Sequence, residues 1–171
     1  FEPEPPCTTV CYADAVNGND ANGGATMGDA KKTIQAAIDA VDPGGEVRVL
    51  PGSYNETAKN RYVLGTSGPY QFGLFVDKNG VTIQGVDASG DPITDYNQLQ
   101  AYVTTNATNN FGYSGIFVQG DQATIAGLHI GPNTPGDNKT IEIIGDGFTL
   151  KDSHVDVPDG GSIYLDDWRF D

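Results

Sequence analysis

The chain has 171 residues, enough for one domain with its own core, and carries 23 Asp plus Glu against 9 Lys plus Arg, a net charge of −14. That balance excludes the basic patches that nucleic acid and anionic membrane surfaces require, and it suits a soluble protein, a cation binder or a salt-rich habitat. With 23 Gly, 10 Pro and abundant Asn, Asp and Thr, the composition points to β structure, and no apolar run approaches the ~20 residues that span a bilayer.

Residues 1–11, FEPEPPCTTVC, read as an N-terminal extension with no basic start and no apolar stretch, so any signal peptide is expected to have been removed already. The two cysteines of the chain, Cys7 and Cys11, lie in it. Along one straight strand their Cα atoms would stand about 13 Å apart. A disulfide needs ~4.4–6.8 Å. A bridge therefore requires CTTVC to bend, and two buried thiols are the alternative. The next segment, DAVNGNDANGG, has the composition of a Ca²⁺ loop. Counted from Asp14, however, its sixth position is Asn19 and its twelfth is Ala25, where an EF-hand places Gly and Glu. A turn of Asn, Gly and Asp describes it better.

Residues 33–41 are predicted to form a helix. Ile34, Ala37, Ile38 and Val41 follow one another at i, i+3, i+4 and i+7, Thr33 is a suitable N-cap, and Pro43-Gly44-Gly45 ends the segment. A helix with one apolar face, placed just before the first strand, is expected to cover an open sheet edge.

From residue 47 onward one phrase recurs. GLFVDKNGVTIQGVD (73–87) aligns with GIFVQGDQATIAGLH (115–129) at an offset of 42, and TIEIIGDGFTLKDSHV (140–155) follows at 25. Ile163-Tyr164-Leu165 then falls under Ile141-Glu142-Ile143, and Val47-Arg48-Val49 aligns backwards with Leu74-Phe75-Val76, at offsets of 22 and 27. Periods in the twenties mark stacked repeats. Each unit reads as two very short alternating strands joined by polar turns, too short and too often split by Gly for helices. Neither a Leu-x-x-Leu-x-Leu pattern nor an Asn ladder supports a leucine-rich horseshoe. An all-β coil of about five turns of parallel strands fits, with residues 12–171 as one domain. Alternation turns Val47/Val49, Leu74/Val76, Ile116/Val118, Ile141/Ile143 and Ile163/Leu165 inward, and Arg48, Phe75, Phe117, Glu142 and Tyr164 outward.

Two long excursions, 55–72 and 87–114, leave this repeat at the same point and are expected to lie side by side. They supply Tyr62, Tyr70, Tyr96, Tyr102, Phe111 and Tyr113, a candidate platform for stacking on sugar rings. Alternatively the excursions fold down over Phe75 and Phe117, which would otherwise form an exposed apolar patch. Asn55, Asn106 and Asn138 begin Asn-x-Thr sequons, candidate N-glycosylation sites.

Glu142, Asp146, Asp152, Asp166 and Asp167, with Lys151 and Arg169, make up the acid-and-base neighbourhood of the chain. They match no catalytic spacing, and Asp146 and Asp152 suit turns, so no catalytic residue is assigned. His129 and His154 align at the repeat offset of 25 and should stack in neighbouring turns. Lacking a clear third ligand, they read as a surface pair rather than an assigned metal site. The acidic turns and net charge predict weak Ca²⁺ binding. At the C-terminal end Ile163, Tyr164 and Leu165 should present an open edge, with too few residues after them for another turn. With Trp168 and Phe170 of DDWRFD, that edge is expected to contact another copy of the chain or a following domain.

YADAVNGND…KKTIQAAIDAVDPGGEVRVLPGSYNE resembles the N-terminal region of secreted right-handed parallel β-helix proteins of the pectate-lyase-like superfamily. That region runs through a short strand, a GND turn, a TIQ-A helix and a strand followed by P-G-x-Y. The resemblance is close over residues 12–56 and loose, through GVTI-type turns, to about 155. It implies a right-handed parallel β-helix, an extracellular or cell-surface location and, with export, a Cys7–Cys11 bridge. Members include polysaccharide lyases, glycoside hydrolases, phage tailspikes and adhesins, so the resemblance leaves activity open. The short coil and the missing catalytic set favour a non-catalytic surface, adhesive or filament-forming module. A carbohydrate-active enzyme, or its N-terminal piece, is the alternative.

Overall fold

The structure, a computed structural model, describes residues 6–106, 113–132, 139–157 and 162–165. Its strands are short and mostly parallel, and the chain visits three sheets in a repeating order. β1 (Val10–Ala13), β2 (Glu46–Val49), β6 (Thr82–Gly85), β9 (Thr124–Ala126) and β12 (Thr149–Lys151) form the first sheet. β3 (Gly52–Thr57), β7 (Ala101–Asn106), β10 (His129–Ile130) and β13 (His154–Val155) form the second. β5 (Pro69–Val76), β8 (Tyr113–Val118), β11 (Lys139–Ile143) and β14 (Ser162–Leu165) form the third, with β4 (Lys59–Tyr62) antiparallel to β5 at its edge.

Identical registers stack like side chains. Leu74, Ile116, Ile141 and Ile163 lie in one column of the third sheet, and Val76, Val118, Ile143 and Leu165 in the next inward column. Val47, Ile83, Ile125 and Leu150 form a matching column in the first sheet. The second contributes Tyr54, Val103, Ile130 and Val155. These columns meet in one core, where Leu74, Ile83, Ile116, Ile125, Ile130 and Ile141 are almost wholly buried.

Two sequence-based expectations change. Val47-Arg48-Val49 pairs with Ile83-Gln84-Gly85, not with Leu74-Phe75-Val76. Every inward triplet carries the same alternation, so sequence matching cannot tell which sheet a triplet joins. Each turn also has three strands rather than two. The excursions supply part of what was missing: 55–72 contains the end of β3, all of β4 and the start of β5, and 87–114 contains β7 and the start of β8, while β10 and β13 lie outside both. β3 and β7 do lie side by side, pairing in parallel from Gly52↔Ala101 to Thr57↔Asn106.

Phe75 and Phe117 point away from the main core yet are buried. With Phe72 they stack at ring-centroid distances of 4.4–5.8 Å, and Val63, beyond β4, completes the cluster. The β4–β5 hairpin thus covers what would have been an apolar patch.

α1 (Ile34–Ala40) lies against β1, β2, β3 and β5, drawn from all three sheets, and so closes the end of the core. Seven residues are too few to hold a helix in isolation. Side chains hold both its ends. Thr33 accepts a hydrogen bond from Ala36 N at 3.1 Å, and the buried Glu56 carboxylate accepts from Ile34 N at 2.7 Å. Lys78 Nζ donates to the carbonyls of Ile38, Asp39 and Val41 at 2.6–2.8 Å. The buried Gln35 amide then takes the place of a neighbouring strand: it donates to Phe75 O at 3.1 Å and accepts from Phe75 N at 2.7 Å. Without it, this part of the β5 edge would lie buried beneath the helix without a strand partner. Cys7 and Cys11 are joined, with Cα atoms 5.1 Å apart, beside the same end of the core.

Candidate functional site

The polar cluster with the most chemical potential sits on the outer face of the second sheet. Parallel pairing sets Tyr102, His129 and His154 opposite one another on β7, β10 and β13. Neighbouring strands are ~4.8 Å apart. The two imidazoles accordingly stack with centroids 4.7 Å apart, and the Tyr102 ring stands 5.1 Å from that of His129. Asp156, two residues beyond His154, falls on the same face by strand alternation. Its carboxylate spans both rings: Oδ2 is 2.7 Å from His129 Nε2 and Oδ1 is 2.8 Å from His154 Nε2.

The backbone fixes this geometry. His154 N donates to Leu128 O at 3.0 Å and Asp156 N to Ile130 O at 2.8 Å, tying His154 and Asp156 to β10 and the residue before it. Gly131, at φ +92°, lets the chain pass directly over Asp156; a side chain there would collide with the Asp156 carbonyl. The hydrogen bond to His129, and then that to His154, holds the Asp156 carboxyl below the usual carboxylate range. The cluster is open to water, with side-chain exposures of 25% for His129, 51% for His154 and 42% for Asp156. Two imidazoles and one carboxylate within 4.8 Å of one another constitute a donor set for a metal ion. Sequence reasoning paired the histidines but missed Asp156. The signal was present as His-x-Asp in a segment with period-two alternation.

A second cluster lies on the third sheet. The buried Glu142 accepts from Lys139 Nζ at 2.7 Å and from Ser114 Oγ, and Lys139 lies 4.4 Å over the Tyr164 ring. Asp121 Oδ1 accepts from Asp146 N, and Asp152 occupies a turn at φ 50°. The acids of the DAVNGNDANGG segment serve local structure as well. Asp14 accepts from Val16 N and Asn17 N, and Asp20 from Lys32 N and Thr33 N.

The aromatic candidates are distributed over several elements. Tyr62 and Tyr70 lie on β4 and β5, where Tyr62 pairs with Pro69 and Tyr70 with Arg61, so alternation sends them to opposite faces of the hairpin. Tyr96 lies in a 3₁₀ turn, Met27 being in another, and Tyr102 joins the histidine column. Tyr113 pairs through its backbone with Gln71, and Phe111 lies outside the described residues. Tyr62 and Tyr96 are the most exposed of the described rings. Of the sequon residues, Asn55 is exposed on β3, Asn106 is half-buried at the end of β7, and Asn138 is outside the described residues. Ile163, Tyr164 and Leu165 are exposed on β14, whereas Trp168 and Phe170 lie outside the described residues. No helix among the described residues is long and apolar enough to cross a membrane.

No family model matches the chain, and no curated protein matches it. Among solved structures it is similar to the crystal structure of pectate lyase Pel9A, with a TM-score of 0.44 and 22% identity. The match covers 88% of this chain and 40% of that one, so the chain spans less than half the length of this neighbour.

Proposed function

We propose that the chain is a right-handed parallel β-helix module of the secreted, pectate-lyase-like kind, working outside the cell or at its surface as a non-catalytic scaffold or adhesive element. Handedness follows from the strong preference of parallel crossovers for the right-handed path. The observation that carries the non-catalytic reading is the burial of the Glu142 carboxylate. Glu142 is tied to Lys139 and Ser114, Asp146 meets Asp121 through its backbone N–H, Asp152 sits in a turn, and Asp166 and Asp167 lie outside the described residues. A general acid needs access to its substrate, and a carboxylate held between a lysine and a serine inside a strand ladder lacks it.

In this reading the exposed tyrosines, Tyr62, Tyr96 and Tyr102, meet polysaccharide weakly, and the β14 edge meets a second copy or a following domain. Incubation with acidic and neutral polysaccharides, with and without Ca²⁺, tests the proposal. The expected result is retention on at least one polymer, weakened by Tyr102→Ala, with no new chain ends. Release of oligosaccharides would replace the scaffold by the carbohydrate-active enzyme.

A further inference from the structure

We propose that His129, His154 and Asp156 form a binding site for one divalent transition-metal ion of the zinc class on the outer face of the second sheet. Three features of the cluster support this. The donors suit the ion: two imidazoles and one carboxylate match zinc, cobalt, nickel or copper, whereas Ca²⁺ and Mg²⁺ take oxygen ligands almost exclusively. The spacing suits it too. The three ligand atoms lie within 4.8 Å of one another, and the carboxylate already reaches both Nε2 atoms, at 2.7 and 2.8 Å. Ligands ~2.0–2.2 Å from a tetrahedral zinc stand roughly 3.3 Å apart. Small torsional changes of exposed side chains bridge the difference.

The third feature is the backing. Both histidines project from paired strands, and Asp156 is tied to β10 through its own N–H, so the donors are assembled before any ion arrives. Preorganisation of this kind lowers the ordering cost of binding. With the carboxylate ionised, each Nε2–H donates to it. Binding exchanges these two hydrogen bonds for two Nε2–metal bonds, and each neutral ring then carries its proton on Nδ1. Three protein ligands leave at least one coordination position for water or an external donor, and the exposure of His154 and Asp156 gives access to it. The site is separate from the scaffold proposal, and either can fail without the other.

Titration of the full, tag-free, metal-stripped chain with ZnCl₂ by calorimetry, and with CoCl₂ by visible absorption, tests the inference. The expected result is one equivalent of Zn²⁺ bound with Kd of about 1 µM or tighter and d–d bands from nitrogen-ligated Co²⁺. His154→Ala and Asp156→Asn should each weaken binding at least about tenfold, with unchanged melting in the absence of metal. Excess Ca²⁺ should not compete. A variant that fails to fold is replaced by the wild type's own imidazole resonances, which should shift for His129 and His154 on adding Zn²⁺. Binding no tighter than millimolar, affinity indifferent to both substitutions, or unshifted imidazole resonances would overturn the site.

Discussion

Glu56 places a carboxylate inside the protein, at the N-terminus of α1, where it accepts from the backbone of Ile34 and Gln35. Desolvation outweighs these bonds and pushes its pKa up to about 7. The sign for stability follows. The folded state holds its proton more tightly than the unfolded chain, whose Glu titrates at about 4.3. The contribution is therefore fully present at low pH and is lost as pH rises through about 7. Between pH 5 and 8 the wild type should lose on the order of 2 kcal/mol more stability than Glu56→Gln. Urea unfolding at the two pH values measures this, and equal losses in both proteins would show that Glu56 does not titrate as argued. Gln35 makes the complementary case. Gln35→Leu keeps the bulk but strands the buried N–H and C=O of Phe75, and should cost about 1–3 kcal/mol.

At the scale of elements, the columns decide which strands tolerate change. Ile116 lies between Leu74 and Ile141 with almost no exposure, so truncation leaves a cavity that neither neighbouring strand can fill. Ile116→Ala should cost about 2–5 kcal/mol. Leu165→Ala, on a three-quarters-exposed side chain at the sheet edge, should cost well under about 1 kcal/mol. Chemical denaturation of both variants checks the contrast, and comparable losses would contradict the placement of β14 at the rim. Local pattern in the sequence revealed these inward columns and the helix, because period-two and period-3.6 patterns are written directly in residue type. It did not reveal β3 and β7. Tyr54, Val103 and Thr105 alternate there, but they lie in segments whose Asn, Thr and Tyr content reads as loop.

For the whole molecule, the two ends of the strand stack differ. α1 closes one, with Gln35, Glu56 and Lys78 securing it. At the other, β14 pairs with β11 alone among the described strands and exposes Ile163 and Leu165. An apolar strand edge of this kind recruits a partner strand, and lysine on the edge opposes it. Sedimentation should therefore show concentration-dependent association that Leu165→Lys abolishes; monomers in both proteins would refute edge assembly. The charge of −14 also acts on the molecule as a whole. Millimolar Ca²⁺ added to metal-free protein should raise Tm by about 2–4 °C through weak binding at acidic turns. An unchanged Tm would remove calcium from the account.

The sequence by itself determined what depends on local pattern: a helix within 33–41, where α1 forms over Ile34–Ala40, the alternating inward triplets, and the stacking of His129 over His154 one repeat apart. Those features need only residue spacing. Tertiary structure decided which sheet each triplet joined, because identical alternations have no label until the chain closes into turns of three strands. It also decided that Phe72, Phe75 and Phe117 share one buried cluster, and that Asp156 spans two imidazoles borne on different turns. Distances between turns are set by backbone pairing at ~4.8 Å, a quantity that no single segment of the chain contains.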